Sequence, residues 1–259
     1  MADSKPIFIA DTCICGLSVL KSMWESGSAN EAVFMADYAI NPLGVKDDAA
    51  IAEVAGNWLA TAAELSDTLV IACNTLSIRF HQLGRSEQVH TGLRQVVSMV
   101  DGFKAMVKLE AERLADSKVL VIGTQYTSRQ PLYADILGSA LPVTEVSTIP
   151  ATTLERNIAR LRYAGNNGGS VLTDGLGEAL ANTDVAVLAC TCFPMARIEL
   201  EALFPDVLFL DPGAYCAGLL KKGGTKQTRK LTMRVTGDAV QKEQAVEFAK
   251  TYLGSDLIA

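Results

Sequence analysis

The sequence predicts an α/β protein made of two similar lobes, each a mostly parallel sheet flanked by helices. Along most of the 259 residues, short apolar runs of strand type alternate with longer segments of helical periodicity. Two of the apolar runs, 70–73 and 187–190, end in the same way, with a cysteine followed by small polar residues. Because a parallel strand presents its last side chains at the carboxyl edge of the sheet, this repetition predicts a site between the two lobes.

The elements of the first part of the chain are predicted from two periodicities. Short runs rich in valine, isoleucine and phenylalanine are typical of buried strands, whereas apolar residues spaced by about 3.6 positions are typical of helices. The predicted strands are 7–10, 32–36, 68–72 and 96–100, and the predicted helices are 17–24, 48–65 and 103–114.

The same alternation continues through the second part of the chain. The predicted strands are 118–122, 143–147, 185–189 and 207–210, and the predicted helices are 130–137, 153–163, 170–181, one from 195 onward and one after 213. A basic turn at 223–230 then precedes an alternating run at 230–236, which is typical of an edge strand, and a last helix at 240–252.

The composition favours a globular protein and excludes several partners. Apolar residues make up 49% of the chain, which is enough to bury a sizeable core. The formal net charge of −6 leaves no basic surface for nucleic acid or an anionic membrane, so neither is expected as a partner. The first residues do not resemble a signal peptide, and no apolar run has the length of a membrane span. We therefore expect a cytoplasmic location and free thiols.

Five of the six cysteines lie where a predicted strand passes into a loop: Cys13, Cys15, Cys73, Cys190 and Cys192. The sixth, Cys216, lies in an apolar helical run and is interpreted as a small buried core residue. Thiols at two similar strand ends suit the transfer of a proton from one face of a carbon atom to the other. Cys73 and Cys190 are therefore the candidate acid/base pair.

Six segments with polar residues at strand ends follow one another along the chain. They are Asp11-Thr12-Cys13-Ile14-Cys15-Gly16, the segment from Ala36 to Gly44, Ala72-Cys73-Asn74-Thr75-Leu76-Ser77, Gly123-Thr124-Gln125-Tyr126-Thr127 with Tyr133, Cys190-Thr191-Cys192-Phe193-Pro194, and Leu210-Asp211-Pro212-Gly213. In this order they resemble the motifs of the glutamate racemases, which belong to the cofactor-independent aspartate/glutamate racemase superfamily.

The resemblance implies two pseudo-symmetric α/β lobes with the substrate enclosed at their interface. The first lobe would contain 1–98 and 210–259, and the second 99–209. The implied activity is racemisation of an acidic amino acid, L-glutamate to D-glutamate first, without a metal or another cofactor. In a bacterium this reaction would supply D-glutamate for peptidoglycan, and the resemblance also implies a homodimer.

Site residues follow from the same segments. Cys73 and Cys190 would act as the two acid/base thiols, and Asp11 resembles the carboxylate that assists the first of them. Polar side chains and backbone amides near helix starts are suited to substrate carboxylates. The candidate substrate-binding residues are Thr12, Pro42, Gly44, Asn74, Thr75, Thr127 and Thr191. Helix capping is the alternative role of the polar residues among them.

The chain departs from the family pattern at three cysteines. Cys192 stands where the family has a histidine, and Cys13 and Cys15 replace two glycines of the first loop; Cys192 and Cys13 are therefore candidate modulators of the chemistry. These substitutions keep two alternatives open. One is a thiolate cluster of all five strand-end cysteines, Cys13, Cys15, Cys73, Cys190 and Cys192, that binds zinc or an iron–sulfur centre. The other is a ligand-binding relative without activity. Aspartate racemisation, and isomerisation or decarboxylation of small diacids, are alternatives within the superfamily.

Overall fold

A computed structural model describes residues 5–84, 92–159, 172–220 and 229–254 of the protein. These residues form nine strands, arranged in two sheets in which every neighbouring pair of strands is parallel. The strands are β1 Ile7–Asp11, β2 Glu31–Ala36, β3 Thr68–Ile71, β4 Gln95–Ser98, β5 Lys118–Gly123, β6 Glu145–Pro150, β7 Val185–Ala189, β8 Leu208–Leu210 and β9 Lys230–Val235.

Helices connect the strands and cover the sheets. Among the described residues they are α1 Leu17–Glu25, α2 Asp48–Leu65, α3 Asn74–Gln82, α4 Met99–Leu109, α5 Ala111–Leu114, α6 Gln125–Arg129, α7 Leu132–Ala140, α8 Thr152–Ala159, α9 Leu176–Leu180, α10 Arg197–Leu203, α11 Pro212–Cys216 and α12 Ala239–Leu253. In this part of the chain no helix is both long and apolar enough to cross a membrane.

The two sheets share one internal strand order. The first runs β4-β3-β1-β2-β9 and the second β6-β5-β7-β8. Read from its other edge, the second sheet is β8-β7-β5-β6, so β3 corresponds to β7 and β1 to β5. This order confirms the predicted α/β fold with two pseudo-symmetric parallel sheets. β9 pairs with β2 at the edge of the first sheet, as its alternating pattern predicts. The domain boundaries at 98/99 and 209/210 stay a prediction.

Two predicted elements have wrong bounds because a helix begins at a different residue than predicted. The predicted strand 96–100 ends at Ser98, because Ser98 and Asp101 form a reciprocal capping box that begins α4 at Met99. The predicted helix 170–181 is described as helix only from Leu176, directly after Gly175, which has a φ of +76°. Such a backbone conformation is the left-handed one that glycine adopts without strain, and it interrupts a helix.

Some predicted elements extend beyond the described residues. The predicted helix 153–163 is described as α8 up to Ala159, and its remaining residues lie outside the described ranges. The basic turn at 223–230 falls largely on 221–228, which are also outside them. The predicted strand 143–147 lies two residues later, at Glu145–Pro150, where it pairs with the whole of β5.

The apolar core is continuous between the two sheets. Ile9 of β1, Leu120 of β5 and Leu188 of β7 belong to one cluster of buried side chains. Every residue of β7 is buried, as expected for a central parallel strand that is covered by helices on both faces. The edge strand β6 is partly exposed. The carboxyl ends of the central strands β1, β3 and β7 therefore meet in the interior of the molecule.

A buried carboxyl group at the end of β8 makes stability depend on pH. Burial raises the pKa of Asp211 to about 6, against the opposing effects of the Gly213 amide, which donates to Asp211 Oδ1 at 2.8 Å, and of Arg197. Since the folded pKa is the higher one, the stability that the protonated form contributes is present below about pH 4 and is lost as the pH rises through about 6.

We expect Asp211→Asn to be more stable than wild type at about pH 7.5, by about 1–3 kcal/mol, because the amide still accepts from Gly213 without a buried charge. Near pH 4 the two proteins should differ little. Urea unfolding of both proteins at the two pH values measures this. Equal destabilisation of the variant at both pH values would contradict the assignment.

Candidate active site

Cys73 and Cys190 occupy corresponding positions in the two sheets. Cys73 lies just after β3 and begins α3, and Cys190 directly follows β7. Both are buried free thiols. Ionisation of Cys190 would raise the pKa of Cys73, so the two sulfurs lie within electrostatic reach of each other. The shared strand order therefore brings the two predicted acid/base residues to one place from opposite sheets.

Asp11, at the end of β1, joins the two sheets. Its Oδ2 accepts a hydrogen bond from Thr191 Oγ1, and its Oδ1 accepts from the Thr12 amide, each at 2.7 Å. Burial, together with the nearby Cys13, raises the pKa of this carboxyl group well above its usual value despite these two donors. Thr191 is a predicted substrate-binding residue. In the structure its hydroxyl donates to Asp11 and holds the Asp11 carboxyl group in place.

The loop after β1 shows why only one glycine of its motif is kept. A Cβ atom at Gly16 would lie 2.8 Å from Asp11 Cβ and 3.0 Å from the ring of Phe34. Such contacts are too short for any side chain, so Gly16 lets the backbone approach Asp11. Cys13 and Cys15 instead bury their side chains in the core cluster.

Asn74, next to the first thiol, has an unsatisfied donor. Its Oδ1 accepts a hydrogen bond of 2.7 Å from the Tyr133 hydroxyl, which comes from the other sheet's side of the molecule. Within the described part of the chain its Nδ2 has no hydrogen-bond partner, although the residue is only 3% exposed. A buried donor left unpaired costs about 1–3 kcal/mol, so a ligand oxygen at this position would be stabilising.

The other predicted binding residues are held in different ways. Thr75 is buried in the first turn of α3. The Thr12 carbonyl accepts from Asn41 Nδ2 at 3.2 Å, which ties the loop after β1 to the segment with Pro42. Thr127 is in the capping interaction of α6, where its amide donates to Thr124 Oγ1 at 3.2 Å. For Thr127 the structure shows the capping contact, and substrate binding stays a prediction.

A cleft of about 670 Å³ opens beside these residues. Thr12, Pro42 and Gly44 of the predicted set line it. Further lining residues include Tyr38, Tyr126, Glu155, Arg156 and Gln244. Arg156 was not singled out from the sequence. Its signal was its place in the first turns of α8, just after the carboxyl end of β6, the edge at which parallel sheets bind ligands.

Burial dominates the acidity of the first thiol. It raises the pKa of Cys73 well above the ordinary value, and the Asp11 carboxyl group acts in the same direction, while the Leu76 amide opposes both. At Cys190 a hydrogen bond with the Cys192 thiol acts to lower the pKa, but burial and the Glu155 carboxylate outweigh it, so the pKa is raised. Both thiols are therefore protonated at neutral pH.

Three other thiols come together beside this pair. The Sγ atoms of Cys13, Cys15 and Cys192 all lie within 4.8 Å of one another. The Cys192 thiol also lies next to Cys190. From this position it can modulate the pKa of the Cys190 thiol. Of the five cysteines in the predicted thiolate cluster, these three form the compact group, and Cys73 and Cys190 are not part of it.

Comparison with known proteins gives one consistent relationship. No family model matches the chain. A glutamate racemase of Streptococcus suis is 26% identical over 219 residues, which is 83% of this chain and 80% of that protein. The crystal structure of glutamate racemase from Campylobacter jejuni superposes with a TM-score of 0.79 at 24% identity, covering 95% of this chain and 97% of that one.

A second solved structure has the same architecture. Glutamate racemase from Francisella tularensis, in complex with D-glutamate, superposes with a TM-score of 0.75 at 19% identity, covering 97% of this chain and 94% of that one. Together the sequence similarity and the shared fold confirm the resemblance seen in the motifs. The chain is thus similar to the glutamate racemases in sequence and in fold.

Proposed function

We propose that this protein is a cofactor-independent amino-acid racemase that acts on an acidic amino acid, glutamate first, through Cys73 and Cys190. The observation that carries the proposal is the pair of buried thiols after corresponding strands of two sheets with one strand order. Thiols placed on opposite sides of a substrate can act on opposite faces of its α-carbon.

In the proposed reaction one thiolate removes the α-proton and becomes a thiol. The electron pair left on the carbon is stabilised by the neighbouring carboxylate group of the substrate. The opposite thiol then donates its proton to the other face and becomes a thiolate, so inversion is complete and the two sulfurs have exchanged protonation states. Because burial favours the protonated form of both thiols, one of them must release its proton to solvent before the reaction begins. The α-ammonium group of the bound amino acid is the cation that stabilises the resulting thiolate.

Substrate recognition is assigned to polar groups beside Cys73 and to one basic side chain of the cleft. The unpaired Nδ2 of Asn74 is a donor for a carboxylate oxygen, and the backbone amides at the start of α3, near Thr75, favour an anion. Arg156 in the cleft offers a positive charge for a second carboxylate. A substrate with two carboxylates and one ammonium group fits this distribution, which favours an acidic amino acid.

The proposal also covers the location, the oligomeric state and the metabolic role of the protein. A cytoplasmic location, a homodimeric state and, in a bacterium, a supply of D-glutamate for peptidoglycan follow from the resemblance to the glutamate racemases. The known complexes agree with the substrate class: the Francisella tularensis enzyme was solved with D-glutamate.

The test is a substrate screen with the purified full chain. L- and D-glutamate, L- and D-aspartate and maleate are incubated separately, and the products are separated by chiral chromatography. We expect interconversion of the glutamate enantiomers, approached from either side to an equilibrium constant of about one. Turnover of aspartate or maleate alone would transfer the assignment to those superfamily activities, and no turnover of any of them would refute the proposal.

A further inference from the structure

We propose that Cys13, Cys15 and Cys192 form a binding site for one thiophilic metal ion of the Zn²⁺ type. This inference does not rest on the proposed racemase activity. Two of the thiols lie in the loop and single helical turn after β1, and the third lies in the loop after β7. The site would thus be built from the same two strand ends that meet at Asp11 and Thr191.

The arrangement of the sulfurs fits a single ion. All three Sγ atoms lie within 4.8 Å of one another. Zinc binds thiolates at about 2.3 Å, which places sulfurs of a tetrahedral site about 3.8 Å apart. Each sulfur therefore needs to move by less than about 1 Å to contact one shared ion. A rotation of the side chain is sufficient for such a movement.

The surroundings favour a soft cation. The three residues are 3%, 0% and 1% exposed, and apolar side chains of the same core cluster surround them. Soft thiolate ligands in a water-excluded shell select ions such as zinc over magnesium or calcium.

The backbone that carries the ligands is held in place. The Ile14 amide, between the first two cysteines, donates to the Tyr38 hydroxyl at 3.2 Å. The 2.7 Å bond between Thr191 and Asp11 fixes the residue before Cys192 against the residue two before Cys13. A preorganised ligand set loses less conformational entropy when the ion binds. A disulfide would use only two of the three thiols and needs an oxidant, whereas one ion engages all three.

The test measures zinc binding to the reduced full chain. Protein is stripped of metal with a chelator, its six thiols are counted under denaturing conditions, and Zn²⁺ is titrated against a chromophoric competitor. We expect one Zn²⁺ per chain and a rise in unfolding temperature on loading. Cys13→Ala, Cys15→Ala and Cys192→Ala should each lower the affinity by more than about 100-fold, since even loss of an outer-shell partner costs about 10- to 100-fold.

The matched control is Cys216→Ala, which removes a buried thiol in α11. This thiol contacts the Ser98 and Pro212 carbonyl oxygens and is not one of the three proposed ligands. It should bind Zn²⁺ like wild type. X-ray absorption of the zinc-loaded wild-type chain adds a readout that does not depend on the folding of any variant, and it should show three sulfur neighbours at about 2.3 Å. A reduced wild-type chain that binds no zinc, binding that survives Cys192→Ala, or a first shell without sulfur would overturn the proposal.

Discussion

Serine substitution at Cys73 or at Cys190 is expected to abolish racemisation of glutamate. A positioned acid or base contributes about 10²- to 10⁴-fold to such a step, and each enantiomer needs one thiol as base and the other as acid. Serine keeps the size of the side chain but is too weak an acid to form the required anion. Initial rates in both directions, followed by polarimetry on protein with unchanged thermal stability, measure the loss.

A second readout separates the two thiols. In deuterated water each single variant keeps one thiol that can remove a proton from one face and return solvent deuterium to the same face. Cys73→Ser and Cys190→Ser should therefore exchange the α-hydrogen of opposite enantiomers without inverting them. Loss of stability alone would not produce this complementary pattern, because an unfolded fraction slows both enantiomers equally.

Cys216→Ser is the control for these variants. Its thiol lies in the helical core and contacts the carbonyl oxygens of Ser98 and Pro212, which a serine hydroxyl can also reach. We expect wild-type rates with this variant. Wild-type racemisation by Cys73→Ser or by Cys190→Ser would show that the thiol concerned is not an acid/base group, whatever the sequence similarity.

Much of this site could be predicted because its signals are local. An apolar run that stops at a cysteine marks the end of a buried parallel strand, so the positions of Cys73 and Cys190 follow from periodicity alone. The edge position of β9 follows in the same way from its alternating residues. The order of the motifs along the chain carries the resemblance to the glutamate racemases, and that resemblance implies two pseudo-symmetric lobes.

Other features depend on contacts between distant parts of the chain. The hydrogen bond from Tyr133 to Asn74 joins α7, which follows a strand of the second sheet, to α3, which follows a strand of the first. In the described structure the Nδ2 atom of Asn74 has no partner. The convergence of Cys13 and Cys15 with Cys192 likewise requires the two sheets to be docked. Sequence spacing carries no information on such distances. It suggested a cluster of up to five thiols, where the structure groups three.

The bounds of α4 show a further limit, since a capping box overrides the strand propensity of the apolar residues beside it. Met99 and Val100 continue the apolar run of β4, yet Ser98 accepts from the Asp101 amide and the Asp101 carboxylate accepts from Ser98. The early start of α4 brings Gly102 to the face that packs against α11. That contact gives the second large expected effect.

Gly102→Ala is expected to destabilise the protein strongly. A Cβ atom at Gly102 would lie 2.6 Å from Cys216 Sγ and would also collide with the Pro212 carbonyl oxygen. The carbonyl belongs to the backbone, so α4 and α11 must move apart to admit the methyl group. Overpacking of this kind costs about 1–3 kcal/mol or more, and we expect the upper part of this range.

Gly138→Ala in α7 is the matched control, because a Cβ atom there would meet no atom within 4 Å. Alanine in an exposed helix interior is better than glycine by about 0.5–1 kcal/mol, so this variant should be slightly more stable than wild type. Urea unfolding of the three proteins measures both effects. In a chain of this size the Gly102→Ala loss corresponds to a fall in unfolding temperature of roughly 4–10 °C. Equal stability of the two variants would contradict the close contact between α4 and α11.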